Sequence, residues 1–112
     1  MAYERAAGRD PEDVSAQKVG YDVRSRDGTG VRYIEVKGRA GEGDVVLTEN
    51  EWTMARRLET DCWLYVVTGA RDAATAQVHA IQDPASKLSP EPQQQTVRYR
   101  VKMDDWKQAA DK

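Results

Sequence analysis

The stretch that decides the fold is residues 20–38, GYDVRSRDGTGVRYIEVKG, in which two strand-like runs flank the turn sequence DGTG. A two-residue loop at Gly28 and Thr29, with Gly28 supplying a positive φ at the first central position of a type II′ turn, predicts a β-hairpin. In that register Asp22 lies directly opposite Glu35. Two ionised carboxylates at cross-strand distance repel each other unless a positive charge lies between them.

Alternation along the strands divides the hairpin into a polar face and an apolar face. Glu35 and Lys37 share one face with Asp22. The opposite face is expected to supply core residues, namely Tyr21, Val23, Ile34 and Val36. Carboxylate oxygens suit Mg²⁺ or Mn²⁺ better than Zn²⁺, and a nearby Lys can help deprotonate a water or neutralise charge on a phosphate. The pattern predicts a metal-dependent phosphodiesterase site; solvated cross-strand ion pairs are the alternative interpretation.

The rest of the chain predicts one mixed α/β domain spanning residues 1–112. The elements expected around the hairpin are a short helix ending at Gly8 and beginning upstream of Met1, a third strand at 44–47, a helix from 49 to about 59, strands at 62–67, 76–81 and 96–102, and a closing helix with Trp106. The apolar run 62–67, CWLYVV, is the candidate central strand, and the alternating run 96–102 is expected at a sheet edge. Residues 83–95, rich in Pro and Gln, are expected to form a flexible loop. In the polar stretch 9–18, Asp10-Pro11 favours a turn.

The second helix carries a motif that we interpret as structural. Thr48 followed by Glu51 forms a capping box at its start, and Trp52 is expected to face the core. Cys62 lies in the apolar strand and is expected to be packed rather than reactive.

Composition restricts the class of protein. The 17 basic and 19 acidic residues give a net charge of -2, so there is no global positive field, and a nucleic-acid site would have to be local. No apolar run approaches the roughly 18 residues of a membrane-spanning helix, and the N-terminal residues are too polar for a secretory signal. The single cysteine excludes an intramolecular disulfide. We therefore expect a cytoplasmic protein without a membrane partner.

Five short sequence motifs carry a family resemblance. GYDVRS, IEVKG, LTENEW, CWLYVV and IQDP resemble the C-terminal domain shared by the plant protein NO VEIN and by bacterial proteins that are often fused to helicase-like or restriction-type modules. The element order, with an acidic residue ahead of ExK, is similar to that of the PD-(D/E)XK nuclease superfamily. That resemblance implies a restriction-endonuclease-like α+β core of a helix, a three-stranded antiparallel meander, a helix and further strands in a mixed sheet. Tyr21 replaces the proline of the superfamily's name.

The same resemblance implies roles for individual residues. Asp22 and Glu35 would ligate Mg²⁺ or Mn²⁺, and the backbone carbonyl of Val36 would complete the metal shell. Lys37 would be the catalytic lysine, and Glu4 would add the helical glutamate that some members of the superfamily use.

The expected partner is DNA, contacted by Arg24, Arg39 and Arg56. A fused or associated helicase or restriction subunit and a homodimer are further expectations from the resemblance. Two other functions stay open: a non-catalytic module of the same fold that recognises nucleic acid or protein, and an interaction domain with no nucleic-acid role.

Overall fold

The fold is given by a computed structural model, which describes residues 2–41, 43–72, 74–92 and 98–111. The helices are α1 (Ala2–Ala6), α2 (Glu49–Leu58), α3 (Pro84–Lys87) and α4 (Met103–Ala110). The strands are β1 (Asp10–Asp13), β2 (Val23–Asp27), β3 (Gly30–Gly38), β4 (Val45–Thr48), β5 (Cys62–Thr68), β6 (Gln77–Gln82), β7 (Glu91–Pro92) and β8 (Arg98–Val101). Short 3-10 turns occupy Ser15–Gln17 and Glu59–Asp61. Among these described segments, no helix is long and apolar enough to cross a membrane.

The larger sheet has five strands in the order β1-β2-β3-β5-β6. Its β2–β3 hairpin runs from the pair Val23–Ile34 to the pair Asp27–Gly30, which confirms the predicted register. Gly28 has φ +60, as the first central residue of a type II′ turn requires. β3 and β5 are parallel, whereas the other neighbours are antiparallel, so the sheet is mixed.

The antiparallel meander is present, but its third strand is not the predicted one. β1, which belongs to the segment 9–18 expected to turn, pairs with β2 at the edge of the sheet. Pro11 is tolerated there because an edge strand needs only half of its ladder hydrogen bonds. The strand expected at 44–47 forms β4 and pairs instead with β8 in a second sheet of order β4-β8-β7. β8 is therefore the middle strand of that sheet and not an edge.

The segment 83–95 is more ordered than expected up to Pro92. It contains α3 and β7, and its Pro84 and Leu88 side chains are buried. The backbone N–H of Ser89 also donates to Asp105 Oδ2 at 2.8 Å, which ties the segment to α4. Residues 93–95 lie outside the described residues.

The two faces of the larger sheet carry separate cores. The larger core includes Cys62, Leu64 and Val66 of β5, packed with Trp52 of α2 and Trp106 of α4, which confirms the expected burial of Cys62 and Trp52. The smaller core on the opposite face is formed by Val23, Ile34 and Tyr65. β5 lies between β3 and β6 and is buried on both faces, as its continuous apolar sequence predicts, although β3 is the central strand.

Candidate active site

An open cleft of ≈ 300 Å³ lies where β3 passes the start of α2 and the loop that precedes β2. Both carboxylates of the predicted pair, Asp22 and Glu35, line this cleft. The other lining residues are Ser15, Lys18, Gly20, Tyr21, Thr48, Asn50 and Glu51. The hairpin and α2 therefore bring acidic and basic groups from distant parts of the sequence to one place.

Asp22 is held at the point where the β2–β3 ladder ends. Its backbone N–H donates to Ile34 O at 2.8 Å, and its side-chain Oδ2 accepts a hydrogen bond from the Val36 N–H at 3.0 Å. The last ladder pair is Val23–Ile34, so the Asp22 carboxylate occupies the position beside Val36 where a further strand residue would pair. Since the N–H and C=O of one strand residue point to the same side, the Val36 carbonyl points to the same edge of β3 as the N–H that binds Asp22.

Glu35 is a buried carboxyl group with an unsatisfied oxygen. The residue is only 6% exposed, and its Oε2 has no hydrogen-bond partner. Burial, followed by a hydrogen bond with Glu51 and the negative charges of Glu51 and Asp22, raises the pKa of Glu35 to about 10, although Lys37 acts in the opposite direction. A divalent cation would supply the positive charge and the partner that this oxygen lacks.

Lys37 bridges Glu35 to Glu51, which is a residue of helix α2. Lys37 Nζ lies 2.9 Å from Glu51 Oε1 and 3.7 Å from Glu35 Oε1. The same Glu51 Oε1 accepts the Thr48 N–H at 2.8 Å, and Thr48 Oγ1 accepts the Glu51 N–H at 3.1 Å, which confirms the predicted capping box. Burial opposes ionisation of Glu51, but hydrogen bonds involving Glu35, Lys37 and Thr48 outweigh it and lower its pKa.

Gly20 lets the loop before β2 approach α2 closely. It has φ +94, and a Cβ built on it would lie 3.0 Å from Met54 Cβ. This explains why the word GYDVRS begins with glycine. The following Tyr21 was expected on the apolar face, but its ring lies 5.0 Å from that of Tyr33, which alternates onto the same face as Glu35. The prediction was wrong because residue 21 precedes β2, where strand alternation does not apply.

Val36 also departs from the expected apolar core. Its side chain is 36% exposed, whereas Val23 and Ile34 are buried as predicted. Val36 lies beyond the end of the β2 ladder, so β2 provides no neighbour to cover it. Its predicted contribution to the metal shell, through the carbonyl, does not depend on side-chain burial.

The structure does not bring Glu4 into the cleft. Its Oε1 accepts Arg9 Nε at 2.6 Å, and its Oε2 accepts both Arg9 Nη2 at 2.9 Å and the Tyr65 hydroxyl at 2.7 Å. Tyr65 belongs to the core of Val23 and Ile34, on the opposite face of the sheet from Glu35. Although burial opposes it, the hydrogen bonds from Arg9 and Tyr65 lower the pKa of Glu4. Glu4 therefore fastens α1 to the sheet instead of joining Asp22 and Glu35.

The three arginines expected to bind nucleic acid occupy different surroundings. Arg24 of β2 pairs with Tyr33, which lies on the same face of β3 as Glu35, and its guanidinium lies 3.4 Å from both Glu12 Oε1 and the Tyr21 hydroxyl. Arg39 comes directly after β3 and donates to the Asp44 carbonyl at 2.9 Å. Arg56 is exposed in the last turn of α2, whereas the cleft is at its first turn. Their binding role stays a prediction.

Glu51 is the cleft residue whose position sequence reasoning missed. The capping-box interpretation was correct but incomplete, because the side chain that closes the box also contacts Lys37. The motif LTENEW could have indicated this role, because it is part of the family resemblance and contains both Asn50 and Glu51, which line the cleft.

The oxygen atoms that Asp22, Glu35 and Val36 offer are of the kind that bind a hard divalent cation. Asp22 and Glu35 provide carboxylate oxygens and Val36 provides a carbonyl oxygen, which are the ligands that Mg²⁺ and Mn²⁺ prefer. Over the described ranges, no three His, Cys, Asp or Glu side chains already surround one point. Mg²⁺ tolerates such sparse sites because it keeps several waters and is completed by substrate phosphate.

Comparisons with known proteins agree with this architecture. A structure of the Holliday junction resolvase Hjc of Archaeoglobus fulgidus, an archaeal hyperthermophile, superimposes with a TM-score of 0.59 and 16% sequence identity, covering 96% of this chain and 88% of the resolvase. At that identity the likeness establishes the fold, a restriction-endonuclease-like resolvase fold. No curated protein shows significant sequence similarity. The family model described as "Protein NO VEIN, C-terminal" matches residues 1–81. The chain therefore belongs to the NO VEIN C-terminal domain family.

Proposed function

We propose that this domain is a metal-dependent nuclease that hydrolyses DNA phosphodiester bonds with Mg²⁺ or Mn²⁺. The observation that carries the proposal is the meeting of Asp22 and Glu35 at one cleft, with the Lys37 amine 3.7 Å from Glu35, in a chain with the fold of a Holliday junction resolvase. Solvated ion pairs would not explain why Glu35 is buried with an unpartnered oxygen.

The residues divide the chemistry between them. Asp22 and Glu35, with the carbonyl of Val36, would hold the cation, which when bound polarises the scissile phosphate and lowers the pKa of an attacking water. Lys37 places its ammonium group beside Glu35, where it can orient that water and neutralise charge on the phosphate. Burial of Glu35 excludes bulk water from one side of the cleft, which strengthens these electrostatic interactions.

DNA is the proposed substrate, and Arg24 is the best-placed of the predicted phosphate contacts because its guanidinium contacts Tyr21, which lines the cleft. Arg39 and Arg56 would extend the contact surface. The family resemblance supports a place in a cytoplasmic restriction or helicase-associated system, with a helicase or restriction subunit as partner and a homodimer that could cut both strands.

The direct test is a cleavage assay on labelled duplex, single-stranded and four-way-junction DNA and on RNA, with Mg²⁺, Mn²⁺ or EDTA. We expect cleavage of DNA that EDTA abolishes and that is lost in Asp22→Asn and Lys37→Met. Lys87→Met is the matched control, because Lys87 is exposed on α3, away from the cleft. Full activity in Asp22→Asn or Lys37→Met, or cleavage that persists in EDTA, would contradict the proposal.

A non-catalytic recognition module is the second candidate. It is favoured by the finding that the described residues do not form a ready-made cage of three ligands. Such a module would bind nucleic acid equally well in EDTA and after Glu35→Gln, and would cleave none of the substrates. Salt-sensitive binding without cleavage would therefore select it.

A further inference from the structure

Lys37 is not oriented by its own strand alone. Its Nζ is 2.9 Å from Glu51 Oε1 on α2, closer than the 3.7 Å that separates it from Glu35 Oε1 on its own strand. The Lys37 and Glu51 side chains are 23% and 18% exposed, so the contact is partly shielded from water. An ion pair in such surroundings restricts the amine more than a fully solvated pair would.

Glu51 is itself immobilised by the capping box. Its Oε1 accepts the Thr48 N–H, and its own N–H donates to Thr48 Oγ1, so the carboxylate is fixed to the first turn of α2. Because Oε1 takes both the Thr48 and the Lys37 hydrogen bonds, the helix start and the lysine share one anchor.

The buried side of the cleft shows why an external anchor is needed. Glu35, the nearer acidic neighbour along the strand, leaves Oε2 without a partner and lies 6% exposed. If Glu35 ligates a cation, as the proposed function requires, it cannot also serve as the main counterion of Lys37. Glu51 lies outside the proposed donor set, and although it also hydrogen-bonds Glu35 in the metal-free protein, it is the anion nearest to the Lys37 amine.

We propose that Glu51 is a positioning residue that holds the Lys37 amine for phosphodiester hydrolysis, with the α2 capping box as the device that fixes it. The inference rests on the proposed function, since it assigns Glu51 a role through Lys37. A purely structural capping residue would show a different pattern: Gln serves at this position of a capping box as Glu does, so Glu51→Gln would then be silent.

The test compares three variants of the whole chain in kcat, KM and stability. Glu51→Gln keeps the box but removes the charge, and we expect kcat to fall by about tenfold or more with KM changed less than about twofold, because a misplaced catalytic group costs rate. Glu49→Gln is the charge-matched control, exposed in the same helical turn. Ala55→Gly is the stability-matched control, because it weakens α2 in its buried middle without touching the cleft. Wild-type kcat in Glu51→Gln, or an equal fall in Ala55→Gly, would overturn the inference.

A second readout does not need cleavage. Limited acetylation of the intact protein, read by mass spectrometry, measures the reactivity of Lys37 relative to Lys18, a lysine that lines the cleft. We expect Glu51→Gln to raise the Lys37-to-Lys18 ratio by about threefold or more, since the released amine samples more of the solvent. An unchanged ratio refutes the anchoring of Lys37 even if wild type cleaves DNA. An increased ratio in a chain that cleaves no nucleic acid would refute the proposed function while leaving the anchor in place.

Discussion

Replacing Glu35 by glutamine is expected to stabilise the metal-free protein at neutral pH while removing its proposed metal ligand. In the folded chain, burial and the Glu51 and Asp22 carboxylates raise the pKa of Glu35 to about 10, from the ordinary 4.5. At pH 7 the folded protein keeps this carboxyl protonated, whereas the unfolded chain releases the proton. Folding must therefore take up a proton at a free-energy cost, which an amide avoids.

The free-energy cost of protonating Glu35 on folding is set by the pKa of this carboxyl in the unfolded chain. For each pH unit above the pKa of 4.5, ionisation of this carboxyl stabilises the unfolded chain by about 1.4 kcal/mol more. At pH 7 this stabilisation of the unfolded state amounts to about 3 kcal/mol. The value does not depend on where above pH 8 the folded pKa lies. The amide leaves a polar group in the same buried place, so we expect Glu35→Gln to be more stable by about 1–3 kcal/mol at pH 7.

The stability difference between Glu35→Gln and wild type depends on pH. A carboxyl whose pKa is raised by folding contributes its stability fully below about pH 4.5, and that stability is lost progressively as pH rises towards 10. The advantage of Glu35→Gln should therefore be near zero at pH 4 and grow with pH.

Urea unfolding in EDTA, followed by the fluorescence of the three tryptophans, measures this difference at pH 4, 5.5 and 7. Glu59→Gln is the control, because Glu59 is exposed, and it should remain within about 0.5 kcal/mol of wild type at every pH. A raised pKa of Glu35 is contradicted if Glu35→Gln is no more stable than wild type at pH 7, or if its gain in stability is as large at pH 4.

Two further predictions concern Glu4 and Gly20, which hold α1 and the loop before β2 in place. Glu4→Gln should lower the free energy of unfolding by about 2–4 kcal/mol, because it leaves the nearly buried Arg9 without its anion. Urea unfolding at pH 7 measures this loss. The Mn²⁺ affinity of Glu4→Gln should stay within twofold of wild type because Glu4 lies outside the cleft, and a large loss of affinity would contradict that position. Gly20→Ala should cost about 1–2 kcal/mol, because alanine is strained at φ +94 and its Cβ meets Met54 at 3.0 Å. A thermal melt of Gly20→Ala that matches wild type would show that the loop does not need this close approach.

The hairpin could be predicted because its determinants are local. The turn at Gly28 and Thr29 fixes the register, and the register alone places Asp22 beside Glu35 at the end of the ladder. Likewise the capping box and the apolar periodicity that ends at Leu58 define α2 within one residue.

What could not be predicted depends on contacts between distant segments. β1 has the sequence DPED, which carries no apolar alternation and forms a strand only because β2 offers it an edge. β4 pairs with β8 more than fifty residues away, a choice that nothing local to Val45–Thr48 decides. The same reason explains Glu4 and Glu51: the first helix and the second helix both offer a glutamate, and only tertiary packing directs one to Arg9 and the other to Lys37.

Calorimetric titration of Mn²⁺ and Mg²⁺ into wild type, Asp22→Asn and Glu35→Gln tests the proposed metal site itself. It asks whether the Asp22–Glu35 cleft is a metal site before any nucleic-acid substrate is chosen. We expect wild type to bind the metal and both variants to lose binding or to bind at least about tenfold more weakly, although Glu35→Gln is expected to be the more stable protein. Equal binding by wild type and both variants, or no binding by wild type with and without a DNA oligonucleotide, would contradict the proposed metal site.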